Sequence, residues 1–287
     1  MAGRGGDGDG WVCNPGVAGG VLADDVGVTL LESGVGKVAR RGRHRSTVVV
    51  LVWLVVLLAA VGCRPASDIE QPASPVPVTT AVYGSSRAGR PLTLTVVGDP
   101  AATRRVLVIG CLHGSERGGV PIAADLARRR PPDDVAYLVV VHPNPDGEAA
   151  RTRGNAAGVD LNRNFPSWTP SRPGTPFYSG SGPLSEPESA ALTRVILDRR
   201  PTVVISYHQA LNLVDASGTG GEVLATRYAS TAGLAVRATP AHPGSLPTWL
   251  AAVLPGVVVL TVELPWTVTP VLADAQLRAI EAVAASL

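Results

Sequence analysis

The chain has 287 residues, room for one large domain or two small ones, and it is rich in Ala, Val, Gly, Pro and Leu with only 4% aromatics, a composition that suits an α/β domain with many turns. Its net charge of +2 comes without a basic stripe or an acidic tail, so nothing supports nucleic-acid binding. Cys13, Cys63 and Cys111 have no CxxC spacing, which excludes reading a disulfide framework from them.

Residues 1–37 are Gly-rich without sustained periodicity and are expected to be disordered, or to be an extension upstream of a true start near Val38. A basic stretch, "ARRGRHR" at 39–45, precedes "STVVVLVWLVVLLAAVG" at 46–62. The apolar core, about 15 residues, falls short of the roughly 20 that span a membrane. A basic region, a short apolar region and small residues after it describe a signal peptide over 38–63. Ala60-Val61-Gly62-Cys63 resembles a bacterial lipobox, with Ala60 where leucine is usual, so Cys63 is the expected lipidation site. The protein is therefore expected outside the cytoplasm, tied to the membrane by that lipid; an uncleaved signal anchor is the alternative. A Pro/Ser-rich linker follows at 64–80, and the folded domain is expected over 81–287.

Within the domain, apolar runs with β-branched residues predict strands at 92–98, 105–112, 135–141, 202–208 and 256–264. Helical patterns lie between and after them at 119–130, 185–200 and 273–286, the second opened by a Ser185–Glu188 capping box with Pro187 in the first turn. Strands alternating with helices predict an α/β fold: a mostly parallel, mixed central sheet with helices on both faces, and a site at the carboxyl ends of its strands.

The histidines and glutamates fall at those ends. "IGCLHGSERGG", 109–119, puts His113 and Glu116 just past a strand, among glycines expected to let the backbone turn tightly. His208 ends the strand at 202–208, and Glu263 nearly ends the one at 256–264. Two histidines and a carboxylate are a ligand set for catalytic zinc that leaves a position for water. A second carboxylate off the metal can take that water's proton. Each residue alone also reads as an ordinary structural or solvated side chain; their coincidence on one edge favours the metal. Cys111, in an apolar run, reads as a buried free thiol. No G-x-S-x-G elbow is present, which argues against a serine hydrolase.

The stretch "HPNPDGEAARTRGNAAGVDLNRNFP", 142–166, has no amphipathic pattern and reads as a long polar loop of the kind that carries function. Together with "YGSSRAGRPL", "HGSE", "SGSGPLSEPESAAL", "SYHQ" and "TVELP", it resembles the zinc carboxypeptidase family, metallopeptidase family M14, and within it the bacterial murein peptide amidases that cut γ-D-glutamyl-diaminopimelate bonds. The resemblance implies the phosphorylase/hydrolase-like fold of that family and one zinc ion on His113, Glu116 and His208. It implies Glu263 as general base, Arg153 at the scissile carbonyl, Asn162 and Arg163 on the substrate's terminal carboxylate, and Asp160 orienting a zinc histidine. The implied substrate is a short peptide with a free carboxylate next to the scissile amide, from murein given the exported location. A tyrosine that covers the substrate in digestive carboxypeptidases has no evident counterpart; Tyr228 is a weak candidate, with a core or surface role the simpler reading. His242 is left out of the ligand set, and His142 is expected to pack at a loop entrance. Two rivals remain: an N-acyl amino acid deacylase of the succinylglutamate desuccinylase or aspartoacylase type, and a non-catalytic lipoprotein that binds wall peptides.

Overall fold

The computed structural model describes residues 75–287. The N-terminal extension, the signal segment with Cys63, and residues 64–74 of the linker lie outside the described residues. Among the described residues no helix is long and apolar enough to cross a membrane.

Eight strands form one sheet: β1 Val78–Ser85, β2 Pro91–Val97, β3 Arg104–Ile109, β4 Val135–Val140, β5 Val203–Gln209, β6 Leu213–Ser217, β7 Ala235–Val236 and β8 Val258–Leu264, ordered β1-β2-β4-β3-β5-β8-β6-β7. The four central strands β4, β3, β5 and β8 run parallel, while β2 joins β4, and β6 joins β8, in antiparallel pairs. Every residue of β4 is buried, as expected of a strand covered on both faces, which needs an unbroken apolar run rather than alternation.

The helices are α1 Gly119–Leu126, α2 Pro145–Ala150, α3 Pro187–Arg199, α4 Gly221–Ala232, α5 Leu246–Val253 and α6 Pro270–Ala284. The two-residue period of the strands divides them between two cores. Val106, Val203, Ile205, Tyr207, Val214, Val258 and Val262 pack with α1, α4 and α6. Leu107, Ile109, Val204 and Val259 face the other way, onto α3 and α5. On that second face Ser206 and His208 continue β5, and Thr261 and Glu263 continue β8, towards their carboxyl ends.

Several expectations need correction. The domain begins earlier than Ala81, because Val78–Thr80, read as linker, pair with β2 from the start of β1. The polar stretch 142–166 is not all loop: Asn144 accepts from the Gly147 N–H and starts α2, with Pro145 in its first turn. The Ser185–Glu188 capping box does not form. Glu186 is the N-cap and makes no side-chain cap bond, while the Glu188 carboxylate accepts from the Arg87 N–H at 2.7 Å and from Asn155 at 3.1 Å. Two strong tertiary donors outcompete one local N–H.

Candidate metal centre and substrate cleft

His113 and Glu116 lie in the loop between β3 and α1. Gly114 serves close approach rather than turning. Its φ is not positive, but a Cβ on it would lie 2.0 Å from the Gly147 carbonyl carbon. Only glycine lets this loop rest on the start of α2. Asn144 fastens the contact by donating to Leu112 O at 3.0 Å. His208 and Glu263 arrive on neighbouring strands as register partners in the β5–β8 pair.

Three donor atoms converge. His113 Nδ1 lies 2.8 Å from Glu116 Oε2, and His208 Nδ1 lies 3.1 Å from both of them. All three residues are buried, between 3% and 6% exposed. Ligand bonds of about 2.0–2.2 Å at tetrahedral angles put donor atoms about 3.3 Å apart, so the triangle is close to the size a zinc ion needs. The protonation pattern points the same way. The other nitrogen of His113, Nε2, lies 3.0 Å from Asp160 Oδ1. If it donates its proton there, a neutral His113 turns a bare Nδ1 lone pair onto the Glu116 carboxylate, a contact that a metal cation, or a proton on Nδ1, relieves. The pKa directions agree: burial acts to lower that of His113, but hydrogen bonds to Asp160 and Glu116 prevail and raise it. Burial acts to raise Glu116, yet hydrogen bonds with His113 and His208 hold it well below the usual carboxylate range.

Asp160, fully buried, sits behind this triangle. Burial would raise its pKa, but His113 and then the charges of Arg153 and Arg163 bring it down to about 2. The Arg153 guanidinium donates to Asp160 Oδ2 at 2.9 Å and to Glu116 Oε1 at 3.0 Å. Two carboxylates thus hold it, and it still lines the cavity beside the metal corner.

The cavity is about 630 Å³ and brings together His113, Glu116, Arg153, Asn162, Arg163, His208 and Glu263. One oxygen of the Glu263 carboxylate, Oε2, is buried there without a hydrogen-bond partner. Burial raises its pKa, opposed by His208 and assisted by the negative charge of Glu116. Asn162 gives its side-chain oxygen to the Leu246 N–H at 2.9 Å, which leaves its amide NH₂ for an acceptor. Arg163 donates to Asn162 O at 2.7 Å, and burial lowers its pKa. Gly244 permits this arrangement, because a Cβ there would lie 2.1 Å from Arg163 O.

Sequence reading missed one neighbour of these groups. Phe177, 53% exposed, has the Arg153 guanidinium 5.2 Å and the Arg163 guanidinium 5.7 Å from its ring centre. It sits in an irregular Pro/Gly-rich loop whose sequence carries no signal for such a contact. Tyr228 does not cover the site; it is fully buried, with its hydroxyl 2.8 Å from that of Tyr207. His242 lines the cavity away from the ligand triangle, and burial lowers its pKa. His142 Nδ1 lies 3.0 Å from Glu148. Cys111 is a buried free thiol that donates to His113 O, and burial pushes its pKa up.

Known proteins share both fold and sequence with this chain. The zinc carboxypeptidase family profile matches residues 70–214. Murein peptide amidase A of Escherichia coli strain K12 is 33% identical over 194 residues, which span 61% of this chain and 77% of that protein. The crystal structure of murein-tripeptide amidase MpaA from Escherichia coli O157 superposes with a TM-score of 0.58 at 27% identity, covering 77% of this chain and 96% of that one. A carboxypeptidase A from Helicoverpa armigera, 19% identical, shares the fold with a TM-score of 0.63 over 73% of this chain and 68% of its own. Glu263 lies beyond the matched 70–214 and is delivered by β8, the strand beside the one that carries His208. On this match and these relatives, the chain belongs to the zinc carboxypeptidase family and is a peptide hydrolase.

Proposed function

We propose that the protein is a zinc-dependent amidase that cuts short murein peptides at an amide next to a free carboxylate. The observation that carries this reading is the His113–Glu116–His208 triangle beside Glu263, whose carboxylate keeps one buried oxygen without a hydrogen-bond partner. A zinc ion on the triangle would polarise the scissile carbonyl and acidify a water. Glu263 takes the proton of the attacking water and passes it to the leaving amine; its raised pKa suits both halves of that task. Arg153, braced by Asp160 and Glu116, faces the developing oxyanion with a fixed charge. Asn162 and Arg163 grip the carboxylate of the residue after the scissile bond, which places the amide at the metal corner.

The murein part of the proposal is supported by the similarity to murein peptide amidases. An extracytoplasmic, lipid-anchored location is supported by the basic and apolar segments at 39–62 ahead of Cys63; such a location would put the enzyme next to wall fragments.

The test is hydrolysis of a panel read by mass: wall tripeptides, their C-terminally amidated forms, ordinary L-peptides and N-succinylglutamate. Free-carboxylate tripeptides should be cut, a chelator should stop the reaction, and added zinc should restore it. Arg163→Ala should raise KM for these peptides by about 10–100-fold, the loss of one charged hydrogen-bond donor. Cleavage confined to N-succinylglutamate, or an equal effect of the variant on amidated peptides, defeats the reading.

A further inference from the structure

The Phe177 ring belongs neither to a core nor to the cavity wall. It is half exposed, so burial does not hold it, and it is not among the residues that line the cavity. Its backbone is nevertheless pinned. The Phe177 carbonyl accepts from the Ser171 hydroxyl at 3.0 Å, and the next carbonyl, that of Tyr178, accepts from the Asp160 N–H at 2.8 Å. The ring is thereby delivered to the segment that carries Arg153, Asp160 and Arg163. Both guanidiniums of that segment lie inside the roughly 6 Å at which the negative face of an aromatic ring attracts a cation.

The two arginines need the ring unequally. Arg153 is already fixed by two carboxylates, through Asp160 Oδ2 and Glu116 Oε1. The Arg163 guanidinium makes one hydrogen bond among the described residues, to Asn162 O. The charge of Arg153 repels it as well. A long side chain held at one point keeps much of its rotamer freedom, and a ligand that uses it must then remove that freedom on binding. An aromatic face beside the guanidinium supplies a second point of attachment. It leaves the N–H donors free, because the ring takes no hydrogen bond in their plane. An aliphatic side chain would fill the same space without attracting the charge.

We infer that Phe177 is a positioning residue: its ring keeps the Arg163 guanidinium turned into the cavity and so strengthens the hold on the substrate's terminal carboxylate. The inference rests on the carboxylate-gripping reading of Arg163 in the proposed function. It adds a residue that acts on the substrate through the arginine alone.

The experiment measures kcat and KM of the zinc-loaded protein for a free-carboxylate wall tripeptide and for its C-terminally amidated form. The proteins are wild type, Phe177→Leu, Phe177→Tyr, Arg163→Ala and the double variant Phe177→Leu with Arg163→Ala. Leucine keeps the apolar bulk and removes the aromatic face, and tyrosine keeps the face. Phe177→Leu should raise KM for the free-carboxylate peptide by about 3–10-fold, the worth of one cation–aromatic contact. Its kcat should stay within about twofold, because Arg153 keeps its two carboxylates, and KM for the amidated peptide should not move. Phe177→Tyr should behave as wild type. In the Arg163→Ala background Phe177→Leu should change KM by less than about twofold, since the group it positions is gone. Calorimetric binding of both peptides to the metal-free proteins gives the same ratios without turnover. An unchanged KM in Phe177→Leu overturns the inference and leaves the proposed function standing. So does a loss that tyrosine does not rescue, a full loss in the Arg163→Ala background, or a fall in kcat in place of the rise in KM. A wild type that binds the free and amidated peptides alike defeats the carboxylate grip itself, and the inference falls with it.

Discussion

Tyr207 and His208 are consecutive on β5 and almost equally buried, 0% and 4% exposed, yet they end in opposite kinds of polar cluster. The pleat sends Tyr207 under α4 and α6, where its hydroxyl meets that of Tyr228, which in turn donates to Gln276 Oε1 at 2.8 Å. Burial raises the pKa of both phenols, so every member of that cluster is neutral. His208 goes to the other face, where imidazoles, carboxylates and a guanidinium crowd against an open cavity. An orphaned atom does not by itself separate the two, since Gln276 Nε2 and Glu263 Oε2 both lack partners. Charge does. The neutral cluster is sealed inside the scaffold, while the charged one faces a cavity from which a cation and a substrate can reach it.

The largest break in that comparison is expected from Glu263→Gln. It removes the proposed proton acceptor and should lower kcat by roughly 10²–10⁴-fold, with zinc content by elemental analysis unchanged. Because burial raises the Glu263 pKa, the fold disfavours its ionised form, and the neutral amide should leave the metal-free protein melting no lower than wild type. The same sign governs the pH profile. The proposed base acts as a carboxylate, so kcat/KM should fall as pH drops through the pKa of Glu263, which burial raises. Near-normal turnover in the variant would move the general base elsewhere.

A smaller change tests whether the charged cluster is organised from behind. Asp160 Oδ1 lies 3.0 Å from His113 Nε2, and in the proposed metal site it takes that nitrogen's proton and leaves Nδ1 for the ion. Asp160→Asn keeps the shape, weakens that constraint and should reduce zinc affinity about 10–100-fold, read by competition with a chromogenic chelator. Unchanged affinity would make Asp160 a brace for Arg153 alone.

How much of the fold and site is legible in the sequence depends on whether the signal is local. The apolar runs of β3, β5 and β8 are long enough to read as strands, so the residue pattern alone assigns His113, His208 and Glu263 to one edge. The strand β6 cannot be read that way. "LVDAS" is short, with polar residues at its third and fifth positions, and it exists because β8 offers an edge to pair with. Phe177 is hidden because its contacts with Arg153 and Arg163 span a loop of irregular backbone. The glycines of 109–119 suggest tight turning, whereas Gly114 is required for its close approach to Gly147, which is a tertiary fact. The Ser185–Glu188 pattern misleads because a local cap competes with whatever the folded chain brings near, and here Arg87 and Asn155 win.

The mildest substitution is also the cleanest control. Tyr207→Phe deletes one hydroxyl on the neutral face and leaves Tyr228 its bond to Gln276. Its cost should be about 1 kcal/mol, which for a domain of this size lowers the melting temperature by roughly 2–4 °C. Zinc content and kcat/KM should stay within about twofold of wild type, because the ring still fills its place and His208 keeps its position on the opposite side of the strand. Thermal denaturation beside a peptide assay decides it. If activity falls as far as it does in Asp160→Asn, then β5 transmits packing changes from one face to the other, and the division between scaffold and site fails at the strand that carries both.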